Sequence, residues 1–257
     1  MLALISPAKK LNFDRENSPE KFTDLRFQKE TNELLKTTSK LKAIDLKSLM
    51  KLSDDLSELN YQRFQSLKFP FTPDNAKQAA FAFNGDTYAG FDAPTLSSEE
   101  LDYAQDHVRI LSGLYGLVRP LDLIQPYRLE MGIKLANKRG ANLYEFWDNR
   151  IAEALNEELK AHKNPTIINV ASNEYFKAVK RKALKFPVIT PVFKEVKGDV
   201  AKVIGFSAKR ARGMMARFIS QNKIETTDGI KDFNLADYSY QPNMSSDSEY
   251  HFYRTIS

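Results

Sequence analysis

Cysteine is absent from this chain of 257 residues. That excludes a disulfide framework and catalysis by a thiolate, and it fits a reduced, cytoplasmic setting. No apolar run approaches the ~20 residues that a membrane-spanning helix needs. The opening "MLALISPAKK" places its charges after a short apolar run, which is the wrong order for a secretory signal and suits a first strand. The three histidines, His107, His162 and His251, stand alone, with no second His or Cys at ligand spacing. A histidine-rich iron or zinc site is therefore unsupported, and no metal or cofactor is expected. A carboxylate-only site remains open, although Asp102 and Asp106, which share a helix face, read better as a solvated stripe.

The standard nucleotide loops are missing too: neither G-x-x-x-x-G-K-[ST] nor G-x-G-x-x-G occurs. "SPAK" at 6–9 matches S-x-x-K without the S-D-N and K-T-G companions, and "GFSAK" at 205–209 lacks the second glycine of a nucleophile elbow.

Hydrophobic residues make up 42% of the chain and aromatics 11%, enough for a sizeable core. The net charge of +5 is unevenly spread. Between Lys177 and Arg217 stand twelve Lys/Arg against two acids, Glu195 and Asp199, while the remainder carries 26 cations and 31 anions. A basic block in an otherwise acidic chain suits a polyanion partner, and it equally suits an ordinary solvated surface.

Along the chain, "LALIS" (2–6) reads as a buried strand and 24–41 as helical. Residues 43–67 read as two helices with Asp45 and Ser53 as candidate caps, and "AAFAFNGDTYAG" (79–90) as a strand with an Asn-Gly-Asp turn. Ser97 or Ser98 caps a helix reaching about Val108, and 142–162 forms an amphipathic helix. The clearest strands are 166–172, 186–196 and 201–207, with "HFYR" (251–254) a candidate edge strand. This order predicts a mixed α/β fold: a single compact domain over 1–257, its first strand joining later ones in a mixed central sheet surrounded by helices.

Two stretches carry functional signals. In "SAKRARGMMARFISQN" (207–222), capped by Ser207, a helical wheel puts Ala208, Ala211, Met214, Met215, Phe218 and Ile219 on one half. Lys209, Arg210, Arg212 and Arg217 fall on the other, with Gly213 and Ala216 among them, and no acid stands at i±3 or i±4. Arginine forks suit phosphate, and small residues between them would let a phosphate backbone approach. In "LSGLYGLVRPLDLIQPYRLEMG" (111–132), Gly113 and Gly116 approximate the glycine hairpin of a helix-hairpin-helix element, whose amides hold phosphate without reading bases. Two features depart from that pattern: one extra residue between the glycines, and Pro120 where the second helix should begin. The plainer alternative is a buried glycine turn beside a proline-rich loop. Arg119 and Arg128 lie in the same apolar stretch, where either Asp122 and Glu130 pair with them and the unit is purely structural, or the arginines line a cleft.

"LISPAK" (4–9), "SGLYGLVRPLDLIQPYRLEMG" (112–132), "NVASNEYFKAVK" (169–180) and "AKRARGMMARF" (208–218) together resemble the bacterial YaaA family, also called DUF328 or UPF0246, over nearly the whole chain. The resemblance implies a role in resistance to hydrogen peroxide, with lower free intracellular iron and less DNA and protein damage. It also implies a single-domain α/β fold with a positively charged cleft, a helix-hairpin-helix-like element and likeness to DNA-binding proteins. No catalytic chemistry comes with it. The basic positions it carries here are Lys9, Arg119, Arg128, Lys177, Lys180, Lys209, Arg210, Arg212 and Arg217, joined by Gly113 and Gly116 of the hairpin. Without cysteine the chain cannot reduce peroxide through a thiol, so protection would be indirect.

The first expectation is a cytoplasmic protein that binds duplex or distorted DNA without sequence specificity and does not engage membranes. The oligomeric state is not legible, and a monomer is the default. The second is an enzyme acting on a nucleotide or another phosphorylated small molecule, with Lys9, Glu130 and Glu174 as acid–base groups. A third is a structural protein whose basic surface binds nothing specific. A compact pocket around Lys9, Arg119 and Arg128 would favour the enzyme, and an open groove wide enough for a duplex would favour DNA.

Overall fold

The computed structural model describes residues 1–14 and 18–256. Its centre is an eight-stranded mixed sheet. The strands are β1 (Leu2–Ile5), β2 (Val108–Ser112), β3 (Gly116–Val118), β4 (Ile167–Asn169), β5 (Val188–Lys197), β6 (Val200–Lys202), β7 (Ser239–Tyr240) and β8 (Glu249–Thr255). The order across the sheet is β7-β8-β5-β4-β1-β2-β3, with β6 folded back on β5. β1 lies in the middle, parallel to β2 on one side and to β4 on the other; Ala3 faces Val108 and Ile168. All four of its residues are buried, which is why it reads as an uninterrupted apolar run. β4, β5 and β8 continue the parallel set.

The α-helices longer than four residues among the described residues are α1 (Gln28–Thr38), α2 (Ala43–Met50), α3 (Asp54–Ser66), α4 (Asp86–Phe91), α5 (Ser98–His107), α6 (Leu143–Trp147), α7 (Arg150–Leu159) and α8 (Gly205–Gln221). Side-chain caps set several starts. Ser53 Oγ accepts from Leu56 N at 3.4 Å, and Ser97 forms a capping box with Glu100, whose Oε2 accepts from Ser97 N at 2.7 Å. Asp45 stands inside α2 and reaches back to Lys42 N at 2.8 Å, so it closes the first turn without being the cap residue.

Several local expectations give way to tertiary context. Residues 79–90 form two short helices, Ala79–Ala82 and α4, joined by the two-residue strand Phe83–Asn84, which pairs with Lys10–Leu11. The helix expected over 142–162 is broken at Asp148, which turns left-handed at φ 43°, separating α6 from α7. α8 begins at Gly205, so Ser207 lies inside it; Ser207 Oγ instead accepts from Arg254 at 3.2 Å. β8 is an inner strand, because the short segment Ser239–Tyr240 covers its outer side.

The helix-hairpin-helix expectation is corrected. α5 does precede the glycines, but Gly116–Val118 is a strand antiparallel to β2, so the unit is a β-hairpin with no second helix. Both glycines are buried. A Cβ on Gly113 would stand 2.2 Å from Leu129 O, and one on Gly116 would stand 2.6 Å from the Trp147 ring. Trp147 Nε1 donates to Gly113 O at 3.0 Å. The buried glycines make room for core packing.

Candidate functional site

A cavity of about 520 Å³ opens beyond the carboxyl ends of β1 and β4. Ser6 to Lys10 continue from β1, and Val170, Ser172, Glu174 and Tyr175 follow β4. The chain leaves β1 for β2 on one side and β4 for β5 on the other. A crevice at such a switch point is where open α/β sheets place ligands. The remaining wall comes from Asn84 to Thr87 at the start of α4, Tyr127 to Glu130, and Lys209 and Arg212 of α8.

Hydrogen bonds fix the floor. Ser172 N donates to Ser6 Oγ at 2.8 Å, and Tyr88 OH donates to Ser6 O at 3.1 Å. Glu174 Oε1 accepts from Gly132 N at 2.9 Å. Burial pushes Tyr175 well above the usual phenol range, so it stays neutral.

The charges are unequally satisfied. Glu130 Oε1 accepts from Arg128 Nε at 3.2 Å and Nη2 at 3.1 Å, and Lys9 Nζ lies 3.2 Å from the same oxygen. Its twin, Glu130 Oε2, is buried and has no hydrogen-bond partner among the described residues. Arg212 is half-buried, and among the described residues it has no hydrogen bond or ion pair. Burial lowers its pKa from the ordinary guanidinium value. Arg109, by contrast, is more deeply buried but is met by Glu158 at 2.6 Å. A guanidinium keeps its proton, so Arg212 brings a positive charge to the cavity. Five cations (Lys9, Lys10, Arg128, Lys209, Arg212) against three carboxylates (Asp86, Glu130, Glu174) leave the cavity net positive.

α8 delivers its two cations because Lys209 and Arg212 are three residues apart and share one face. The depth of the helix is set by small residues. A Cβ on Gly213 would stand 1.7 Å from Thr87 O, and Ala216 is fully buried. Gly213 therefore seats α8 on α4, and with Ala216 buried as well, neither is a surface on which phosphate could rest.

Of the basic positions marked in the sequence, Lys9, Arg128, Lys209 and Arg212 line this one cavity. Arg210 is exposed on α8 and unpaired among the described residues. The others lie apart. Arg119 Nε donates to the fully buried Asp122 Oδ1 at 3.0 Å and lines a different cleft with Arg109 and Glu158. Lys177 Nζ lies 5.0 Å from the centre of the Tyr144 ring, and Lys180 pairs with Asp148 at 3.1 Å. Arg217 Nη1 donates to Phe91 O at 3.2 Å and Asp92 O at 2.9 Å, closing the end of α4.

Sequence reasoning missed Ser6, Ser172 and the Asn84–Thr87 segment. Their signal was present: small polar residues stand directly after a buried strand or before a helix, where ligand loops lie. Among the described residues, no three His, Cys, Asp or Glu gather as metal ligands, and no helix is long and apolar enough to cross a membrane.

The model of the family described as peroxide stress protein YaaA matches residues 1–244. A UPF0246 protein of Alteromonas mediterranea is 51% identical over 97% of this chain and 96% of its own length. UPF0246 proteins of Burkholderia ambifaria and Burkholderia cenocepacia are 51% and 50% identical, each over 100% of this chain and 99% of their own.

Proposed function

This chain belongs to the peroxide stress protein YaaA family, and we propose that it serves that response by binding DNA through the sugar–phosphate backbone. The observation that carries this reading is Arg210, exposed and unpaired among the described residues on α8, with Lys209 exposed beside it and Arg212 lining the net-positive cavity next to them. Phosphate is the anion that a guanidinium fork and neighbouring cations suit best. Contacts of this kind are independent of sequence, so selectivity follows duplex shape or distortion. Protection of DNA and protein in the cytoplasm, and any lowering of free iron, would be consequences of DNA occupancy and not of metal storage.

The test is an anisotropy titration of a labelled duplex at several salt concentrations. Lys209→Ala with Arg210→Ala weakens binding and lowers the slope of log K against log salt by about 1–2. Unchanged affinity and slope would count against DNA binding by α8.

A second reading is supported by the compactness of the cavity. A space of about 520 Å³ falls in the size range of small-molecule sites, ~300–1,000 Å³. With Lys9, Glu130 and Glu174 inside it, an enzyme acting on a nucleotide or another phosphorylated small molecule would use the same groups.

A further inference from the structure

We infer that the cavity holds a single nucleotide unit, its phosphate on Arg212 and Lys209 and the donor-bearing edge of its base on Glu130. This rests on reading the cavity as a phosphate site, and it goes further by assigning both ends of the ligand.

The two unsatisfied groups of the cavity have opposite needs. Arg212 offers N–H donors and positive charge with no partner among the described residues. Glu130 Oε2 is a buried acceptor with no donor among the described residues, while Oε1 is already occupied by Arg128 and Lys9. An ionised carboxylate accepts only, and it repels phosphate oxygens. One anion therefore cannot satisfy both positions. The ligand needs an anionic head and a neutral end that carries O–H or N–H.

A nucleotide has both ends. The buried side chains of Leu129, Val170 and Tyr175 also line the cavity. A whole duplex does not fit, because even its major groove is ~12 Å across and the cavity is about 520 Å³. The unit is then either a free nucleotide or one that a strand presents at an end or an unpaired position.

Calorimetric titration of the full chain with the four deoxynucleoside 5′-monophosphates, ribose 5-phosphate and inorganic phosphate tests the assignment. At least one nucleotide is expected to bind about tenfold or more tightly than phosphate, the worth of a buried hydrogen bond to a charged group. Glu130→Gln removes that advantage without weakening phosphate, whereas Arg212→Gln weakens nucleotide and phosphate together. Lys209→Ala, an exposed position whose loss leaves the fold intact, weakens both as well. Equal binding of nucleotide and phosphate, or of nucleotide and ribose 5-phosphate, overturns the inference. So does a Glu130→Gln protein that is folded by thermal melt and keeps the full nucleotide advantage.

A second arm compares a dumbbell duplex, which has no ends, with the same duplex carrying an unpaired terminal nucleotide. Preference for the unpaired end that is lost in Glu130→Gln assigns the strand as source. Nucleotide binding with no such preference assigns the free nucleotide. Salt-dependent dumbbell binding with no nucleotide binding sinks this inference and leaves DNA binding standing. Nucleotide binding with no DNA binding does the reverse.

Discussion

Gly213 of α8 rests on the carbonyl of Thr87 in α4 so closely that a Cβ on the glycine would lie 1.7 Å from that oxygen. The contact is reciprocal: a Cβ on Gly90 would lie 2.1 Å from Arg210 O. Two helices meet backbone to backbone here. The meeting decides how far Arg212, the residue before Gly213, reaches over the cavity. Gly213→Ala is expected to cost about 3 kcal/mol of stability, since backbone cannot yield as a flexible side chain does. It should also weaken phosphate binding, because α8 is pushed outward. Urea unfolding, with phosphate titration of the folded fraction, checks both; a wild-type midpoint would show that the helices can separate freely.

Gly116 separates two accounts of the glycine-rich stretch. It adopts φ +72° against the Trp147 ring. Gly116→Ala therefore adds left-handed strain to a core clash and should lower stability by about 3 kcal/mol. If its amide served phosphate, the variant would instead lose DNA affinity while melting normally. Thermal denaturation beside a DNA titration tells the two apart.

Arg217 and Arg212 lie five residues apart on one helix and are expected to behave oppositely. Arg217 satisfies the Phe91 and Asp92 carbonyls, so Arg217→Ala should cost about 1–2 kcal/mol and change anion affinity little. Arg212→Ala removes a half-buried charge that is unpaired among the described residues and should leave stability unchanged or raised while affinity falls. A chemical-denaturation curve and a binding isotherm for each variant suffice. Matching losses of affinity would undo the distinction.

Acid sensitivity should arise away from the cavity. His162 sits 4.8 Å from the ring of His107, with its Nδ1 3.1 Å from the Met1 nitrogen. Burial first, then the neighbouring positive charges, lower the His162 pKa to about 4. His107 is lowered too, mainly by burial. Both are held neutral in the fold and take up protons more readily when unfolded. Their contribution is thus complete above the ordinary histidine pKa of ~6.5 and is lost as pH falls towards the folded value. The melting temperature should decline over that window, and His162→Gln should flatten the decline. A slope unaffected by the substitution would place the acid sensitivity elsewhere.

Much of the local structure was legible. The buried β1, the caps at Ser53 and Ser97, and the apolar half of α8 each depend on neighbours within a few residues, where periodicity and capping are written. The fragment 79–90 was misread because its alternating apolar pattern suits a strand. Only packing against α8 makes its second half a helix. Gly213 looked like a gap between cations because a helical wheel shows which side a residue faces and not what lies there.

The chain alone determined the family, the supply of cations and most of the elements, because these are properties of residue identity and short-range order. Which cations share a cavity was settled by the strand order that sets β1 between β2 and β4. That order draws together Lys9, Arg128, Glu130, Lys209 and Arg212 and leaves Arg119 and Arg217 with partners of their own. Burial and pairing are contacts between residues distant along the chain, and no local pattern encodes them.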